Sequence, residues 1–407
     1  MAIVSGREAP VWPAHTMEAR DWRQSIRGGN REDRMLRAVA VSIPPRIAHL
    51  TYTPSPELTT AAERALVEVA TTDAEARAQS RALGRFMLRT ESVASSKIER
   101  ISASAADYAR ALAGSRANSS ATSMVAASAA LHRLVDRAGE TAHLTVDDLL
   151  AAHRTLMADD TAEAPYAGRL RDVQNWIGGS DHSPRNALYV PPPPDLVAPL
   201  LDDLLAFAGR DDVPVFAQAA IAHAQFESIH PFTDGNGRIG RALVSAILRR
   251  RGVTKTAVMP LASGLLAVRD DYFASLTAYR EGDPTAVIEI MVRAAVAAAV
   301  ESRASIAALR ELPAEWQSLV DASPGSATAR LLAAVLDDPV MSGEDAIAAI
   351  GSTPATAYAA LERLTDAGVV TEITGRKRDR VWAANDVIGE LDDLDRRIQR
   401  RMIDTAA

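Results

Sequence analysis

Between His230 and Arg241 the chain reads His-Pro-Phe-Thr-Asp-Gly-Asn-Gly-Arg-Ile-Gly-Arg. An imidazole, a carboxylate, an amide between glycines and two guanidiniums fall within one short stretch. His230 is the group among them whose ordinary pKa lies near neutrality, so it can take a proton from an attacking hydroxyl. Asp234 offers a hard oxygen ligand of the kind that holds magnesium against phosphates. Arg238 and Arg241 stand three apart and carry planar, permanently charged forks that grip phosphate oxygens. Gly235 and Gly237 let backbone approach a ligand closely, and a helix starting there aims its amides at an anion. These parts point to nucleotide chemistry.

Two helices must position them. Val215 to Phe226 is Ala-rich and reads as a buried helix, and Ala242 to Leu248 reads as a second. The second closes on the basic turn Arg249-Arg250-Arg251 and the stop signal Gly252. The reactive stretch is therefore a short loop running straight into a helix.

His230 to Arg241 resembles the Fic motif, H-x-F-x-(D/E)-G-N-G-R-x-x-R, at each fixed position. The resemblance implies a mostly α protein: a helical core with a β-hairpin flap. It also implies transfer of a nucleoside monophosphate, usually AMP from ATP, to a Ser, Thr or Tyr hydroxyl of a protein target, with self-modification as a side activity. His230 would be the general base and Asp234 the Mg²⁺ ligand. Gly235, Asn236 and Gly237 would cradle phosphate, and Arg238 and Arg241 would hold the outer phosphates. Alternatives on the same scaffold are AMP removal, another nucleotide or phosphate donor, or a nucleotide-sensing DNA-binding regulator. The intact His230 favours the enzyme.

Upstream, Ser95 and Glu99 in Ser-Ser-Lys-Ile-Glu-Arg are four apart and share a face if helical. The segment resembles the inhibitory motif (S/T)-x-x-x-E-(G/N) of one class of Fic proteins. In that likeness Glu99 would reach Arg241 and occupy the place of the ATP γ-phosphate. Arg100 departs from the pattern, where a small residue is usual, and this puts the helix end in question.

Ala167 to Gly179 and Ala187 to Pro191, separated by a polar turn and ended by four prolines, read as a hairpin. It resembles the Fic flap, which aligns a target by strand addition. Tyr272 and Tyr279 are seven apart on a helix that resembles the one closing a Fic core; adenine stacking and core packing are both open, with core packing expected of at least one. His153, alone on a helix capped by Thr145, reads as structural.

The 407 residues are expected to form a helical N-terminal arm carrying the inhibitory segment (1–110), a catalytic core (111–312) and a C-terminal winged helix (313–407). Residues 1 to about 55 read as an extended arm. The last segment has helix-turn-helix spacing and a hairpin with a basic tip, Arg376-Lys377-Arg378. It nevertheless holds 16 acidic against 10 basic side chains. DNA binding and protein docking or homodimerisation fit it equally. A net charge of −7 argues against wholesale binding to nucleic acid or acidic membrane. With no cysteine, thiolate chemistry is excluded. No apolar run of signal-peptide or membrane-spanning length occurs, so a soluble cytoplasmic protein is expected.

Overall fold

The computed structural model describes residues 12–24, 28–79, 81–375 and 380–405. The chain begins with β1 (Thr16–Asp21), α1 (Arg31–Met35) and β2 (Ala38–Ile43), then α2 (Pro56–Gln79), α3 (Arg81–Ile98), α4 (Ala105–Leu112), α5 (Ser119–Thr141) and α6 (Val146–Met157). There follow α7 (Pro194–Ala208), α8 (Val215–Ile229), α9 (Asn236–Arg250), α10 (Leu261–Ala267), α11 (Arg269–Arg280) and α12 (Thr285–Val320). The chain closes with α13 (Ala327–Asp337), β3 (Val340–Ser342), α14 (Gly343–Ile350), α15 (Pro354–Asp366), β4 (Val370–Glu372), β5 (Val381–Ala384) and α16 (Asn385–Asp404). The expectation of a mostly helical protein holds.

These elements sort into two compact units that do not follow sequence order. The first takes Met1–Glu63, Arg133–Gly252 and Arg269–Val292. Its centre is α8, every residue of which is buried. Ala, Ile and Phe on all sides let neighbouring helices approach from several directions, the pattern of a helix inside a core. α7, α9 and α11 pack on it, and α6 packs on α7 and α9.

The expected extended arm is corrected here: β1 and β2 pair antiparallel, Thr16 with Ile43 through Asp21 with Ala38. In β2 Val39, Val41 and Ile43 alternate with Ala38, Ala40 and Ser42 as a strand's period of two requires, although Ser42 is buried beside Val41, whereas every β1 side chain is exposed. The expected hairpin between residues 167 and 191 is reduced to one antiparallel bridge, Ile177 with Tyr189.

The second unit holds Arg64–His132, Val253–Val268 and Arg293–Ala407. Here α3 packs against α10, α13 and α16. Asp73, 3% exposed, accepts the N–H groups of Lys255, Thr256 and Ala257 at 3.0, 2.9 and 2.6 Å and so fixes the loop before α10. α12 runs through Pro313, where a separate C-terminal module was expected to begin. Residues 327–384 follow the order α-β-α-α-β-β with sheet order β3-β5-β4. The basic tip Arg376-Lys377-Arg378 lies outside the described residues. α16 was not foreseen, although its buried Val387, Leu394, Ile398 and Met402 recur at helical spacing. Among the described residues no helix is long and apolar enough to cross a membrane.

Candidate active site

α8 ends at Ile229, and His230 turns the chain in the left-handed region (φ 50°, ψ 62°). A β-carbon makes that conformation unfavourable, so the surroundings must hold it. Arg171 does so. Its Nε donates to His230 O at 2.8 Å, and its NH2 group donates to Pro192 O at 2.5 Å and Ile229 O at 3.3 Å. The Arg171 N–H adds a bond to Pro231 O at 3.0 Å. Burial pushes this guanidinium down only to about 10, so it remains charged at neutral pH. Sequence reading passed over Arg171, because nothing local distinguishes it from Arg169.

The loop is also laced from within. Asn236 Oδ1 accepts the Phe232 N–H at 2.8 Å, and Asn236 Nδ2 donates to Phe232 O at 2.9 Å. Its buried side chain thus closes the turn, and its backbone amide belongs to the first turn of α9, where amides have no partner within the helix. The ring of Phe232 is fully buried and stacks on His153 with centroids 3.8 Å apart and planes 3° apart. His153 Nδ1 accepts the Gly168 N–H at 3.0 Å, so Nε2 carries the proton and donates to Asp234 O at 3.1 Å. Burial lowers this imidazole to about 4, which keeps it neutral. The structural reading of His153 agrees with these contacts.

Gly235 (φ 77°) is the N-cap of α9, and no side chain caps that helix. A Cβ there would collide with Met157 and meet Leu156 Cδ2 at 2.9 Å, so the position needs glycine on two counts. The first-turn amides, from Asn236 to Arg238, make a cradle for an anion. Asp234 leaves its carboxylate 57% exposed, 3.4 Å from Arg238. Arg238 sits at the third residue of α9 and Arg241 at the sixth, since the helix starts at Asn236, ahead of the Ala242 read from the sequence. Both are buried, 6% and 2% exposed. Gly240 lets α9 close on α8, since a Cβ there would lie 2.7 Å from Glu227 Oε1 and 3.0 Å from Phe226 Cδ1.

In this unit the structure brings together His230, Asp234, Gly235, Asn236, Gly237, Arg238 and Arg241 on one loop and helix start. Residues 143–248 match the Fic/DOC family. The matching Fic segment contains α6, the Ile177–Tyr189 bridge, α7, α8 and nearly all of α9. The chain is 31% identical over 143 residues to protein adenylyltransferase fic-1 of Caenorhabditis elegans, covering 34% of this chain and 25% of that protein. It is 32% identical over 152 residues to protein adenylyltransferase Fic of Nematostella vectensis, covering 37% and 32%. A probable protein adenylyltransferase of Aquifex aeolicus is 35% identical over 97 residues, covering 24% and 28%. The alignments thus span between a quarter and a third of these relatives' own length. A Fic family protein of Desulfovibrio desulfuricans has a similar fold over 82% of this chain and 97% of its own, with a TM-score of 0.53 at 24% identity.

Adenine stacking by Tyr272 and Tyr279 does not survive the structure: both are 0% exposed. Tyr272 OH lies 2.7 Å from His223 Nε2, and Tyr279 OH donates to Gln225 Oε1 at 2.7 Å. They are core residues whose hydroxyls are satisfied internally.

Ser95 and Glu99 belong to the second unit. Ser95 is buried on the last turn of α3, and Glu99 is the exposed residue that follows the helix. Arg100 adopts φ 62°, the left-handed conformation that glycine or asparagine usually supplies. Ile101 N–H donates to Ser96 O at 3.0 Å and Arg100 N–H to Lys97 O at 2.9 Å, the bond pair of a Schellman stop. The helix therefore ends where the inhibitory pattern would end it, despite the arginine.

Proposed function

We propose that the loop His230–Arg241 transfers AMP from ATP to a Ser, Thr or Tyr hydroxyl of a protein, with this chain itself as one acceptor. The observation that carries this reading is the left-handed His230 beside the uncapped start of α9, held by Arg171 and Asn236 within the Fic segment. The cradle amides orient the α-phosphate, and Arg238 and Arg241 hold the outer phosphates. His230 accepts the hydroxyl proton as the new oxygen–phosphorus bond forms and pyrophosphate leaves.

Among the described residues no group of three or more His, Cys, Asp or Glu could hold a metal ion by itself. The lone, exposed Asp234 carboxylate fits a magnesium ion that arrives with the nucleotide and takes its other oxygens from phosphates and water. Bound there, Mg²⁺ would offset charge on the phosphates.

Autoinhibition by Glu99 is part of the proposal. Its support is the Schellman stop, which sets a carboxylate just beyond α3 in the manner of the inhibitory motif. That carboxylate would compete with the γ-phosphate for Arg241. The α-β-α-α-β-β module we read as a winged helix. Arg363, the single cation of α15, donates to Val320 O at 3.1 Å, which favours protein docking or homodimerisation over DNA.

Incubation with Mg²⁺ and ATP labelled in the α-phosphate tests the reading. Label should enter protein, faster for Glu99→Gly than for the unaltered chain, and the added mass identifies the donor. No adduct from either protein with any nucleoside triphosphate would overturn the transferase reading. Equal rates would overturn the inhibitory role of Glu99 alone.

A further inference from the structure

The loop 180–186, at the tip of the flap, is held by the segment between β1 and β2. Ser183, 0% exposed, donates to Asp33 Oδ1 at 2.7 Å. Asp33 is itself 3% exposed, and its Oδ2 accepts the Asn30 N–H at 2.9 Å in the capping box that starts α1. Arg185 pairs with Glu32 and lies 3.5 Å from Asp33 Oδ1. Three hydrogen bonds, led by that from Ser183, hold the Asp33 carboxyl well below the usual carboxylate range. His182 rests against Gly28 and Gly29, at φ 118° and 72°; a Cβ on Gly28 would lie 2.8 Å from its Cε1. Trp22 meets Trp176 edge-on at 5.6 Å. At the base, Ser42 N–H donates to Val190 O at 2.8 Å, so β2 adds a backbone bond beside the flap.

The flap's own strand pairing is a single bridge. A hairpin of that size is marginal alone, even with its own bonds from Trp176 Nε1 to Ser180 O at 2.7 Å and from Ser180 N–H to Arg185 O at 3.2 Å, so the outside contacts add the order it lacks. We infer that β1, α1 and β2 form a brace that sets the flap, with Asp33 as the positioning residue at its centre. The inference rests on the proposed transfer reaction, in which the flap lays the acceptor's backbone alongside the motif loop. A brace released by one bond lets the acceptor hydroxyl drift from His230 without touching the nucleotide cradle.

The test uses the full chain carrying Glu99→Gly, with Ser183→Ala, Asp33→Ala and Asp33→Asn added singly. Three quantities are measured: label transfer from ATP to the chain's own hydroxyls, ATP affinity, and amide hydrogen exchange over residues 176–190. Ser183→Ala, which leaves the capping box intact, should slow transfer about 10-fold and Asp33→Ala up to ~100-fold, as misplacement of a reactant does. ATP affinity should stay within about twofold, and exchange over 176–190 should quicken. Asp33→Asn can still accept from Asn30 and donate to Ser183, so it should restore most of the rate. Unchanged exchange over 176–190 in Ser183→Ala and Asp33→Ala overturns the brace. Quickened exchange with unchanged transfer overturns its role in acceptor positioning. If the parent protein transfers no label, the transfer reading fails, and the exchange measurement still decides the brace.

Discussion

The motif loop and the flap are neighbouring irregular segments of one unit, and both combine local and distant ties in different balance. Phe232 and Asn236 bond to one another across four residues, and Asp234 meets Arg238 across four more. The flap tip instead takes its holding bond from Asp33, 150 residues earlier. The motif loop thus has a side-chain tie of its own besides the hold of Arg171 and His153, whereas the buried hydroxyl at the flap tip depends on a partner far off in the chain. That suits their proposed tasks. Phosphate geometry is the same for each nucleotide, whereas acceptor chains differ and the device that aligns them must be set by its own framework.

The largest expected effect separates chemistry from framework. His230→Ala should lower transfer by about 10²–10⁴-fold while ATP binding stays near normal, because the imidazole serves the attacking hydroxyl and not the phosphates. Near-normal transfer in that variant would remove His230 from its role. Isothermal binding of ATP to the same protein supplies the comparison.

Arg171 is the point where the two segments meet, since it leads into the flap and holds the left-handed turn of the motif loop. Arg171→Met strips donors from the carbonyls of His230, Ile229 and Pro192, the last two in buried bonds. The expected cost is on the order of 3–5 kcal/mol of stability, read from denaturant unfolding, together with lost transfer. Arg171→Lys should not restore it, because one ammonium cannot span the same acceptors. Full activity in the methionine variant would show the loop to be self-sufficient, and full activity in the lysine variant that one ammonium suffices.

Acid should weaken both segments through different imidazoles. Burial lowers His153, under the motif loop, to about 4, and lowers His15, whose Nδ1 lies 2.9 Å from Ser42 Oγ in β2, to about 3. Both are neutral when folded and protonate more readily when unfolded. Their contribution is complete above pH ~6.5 and is lost as pH falls through the range down to their folded values. For His153 this is on the order of 3 kcal/mol by about pH 4. His153→Gln does not titrate, so its unfolding free energy should fall less steeply between pH 6.5 and 4. An unchanged slope would exclude His153 as the acid-sensitive support of the loop.

The sequence by itself determined what recurs within a few residues. The Gly235 turn, the Thr145 cap of α6, the helix pair around the motif and the helix-turn-helix order after Ala327 all rest on neighbours in the chain. Asn236 was legible as a residue and not as a tie, because its outward role in a cradle and its inward bond to Phe232 look alike in one dimension. Only the tertiary structure decided that Tyr272 and Tyr279 are core, that Arg171 holds His230, and that Asp33 holds Ser183. It also decided that β1 is a strand at all, since its exposed Thr-Met-Glu-Ala-Arg-Asp acquires order from the backbone bonds of β2 and not from burying side chains. The physical reason is common to these cases. Backbone carbonyls and amides are present at each residue, so the sequence cannot say which of them a distant arginine, aspartate or strand will satisfy until folding brings one within reach.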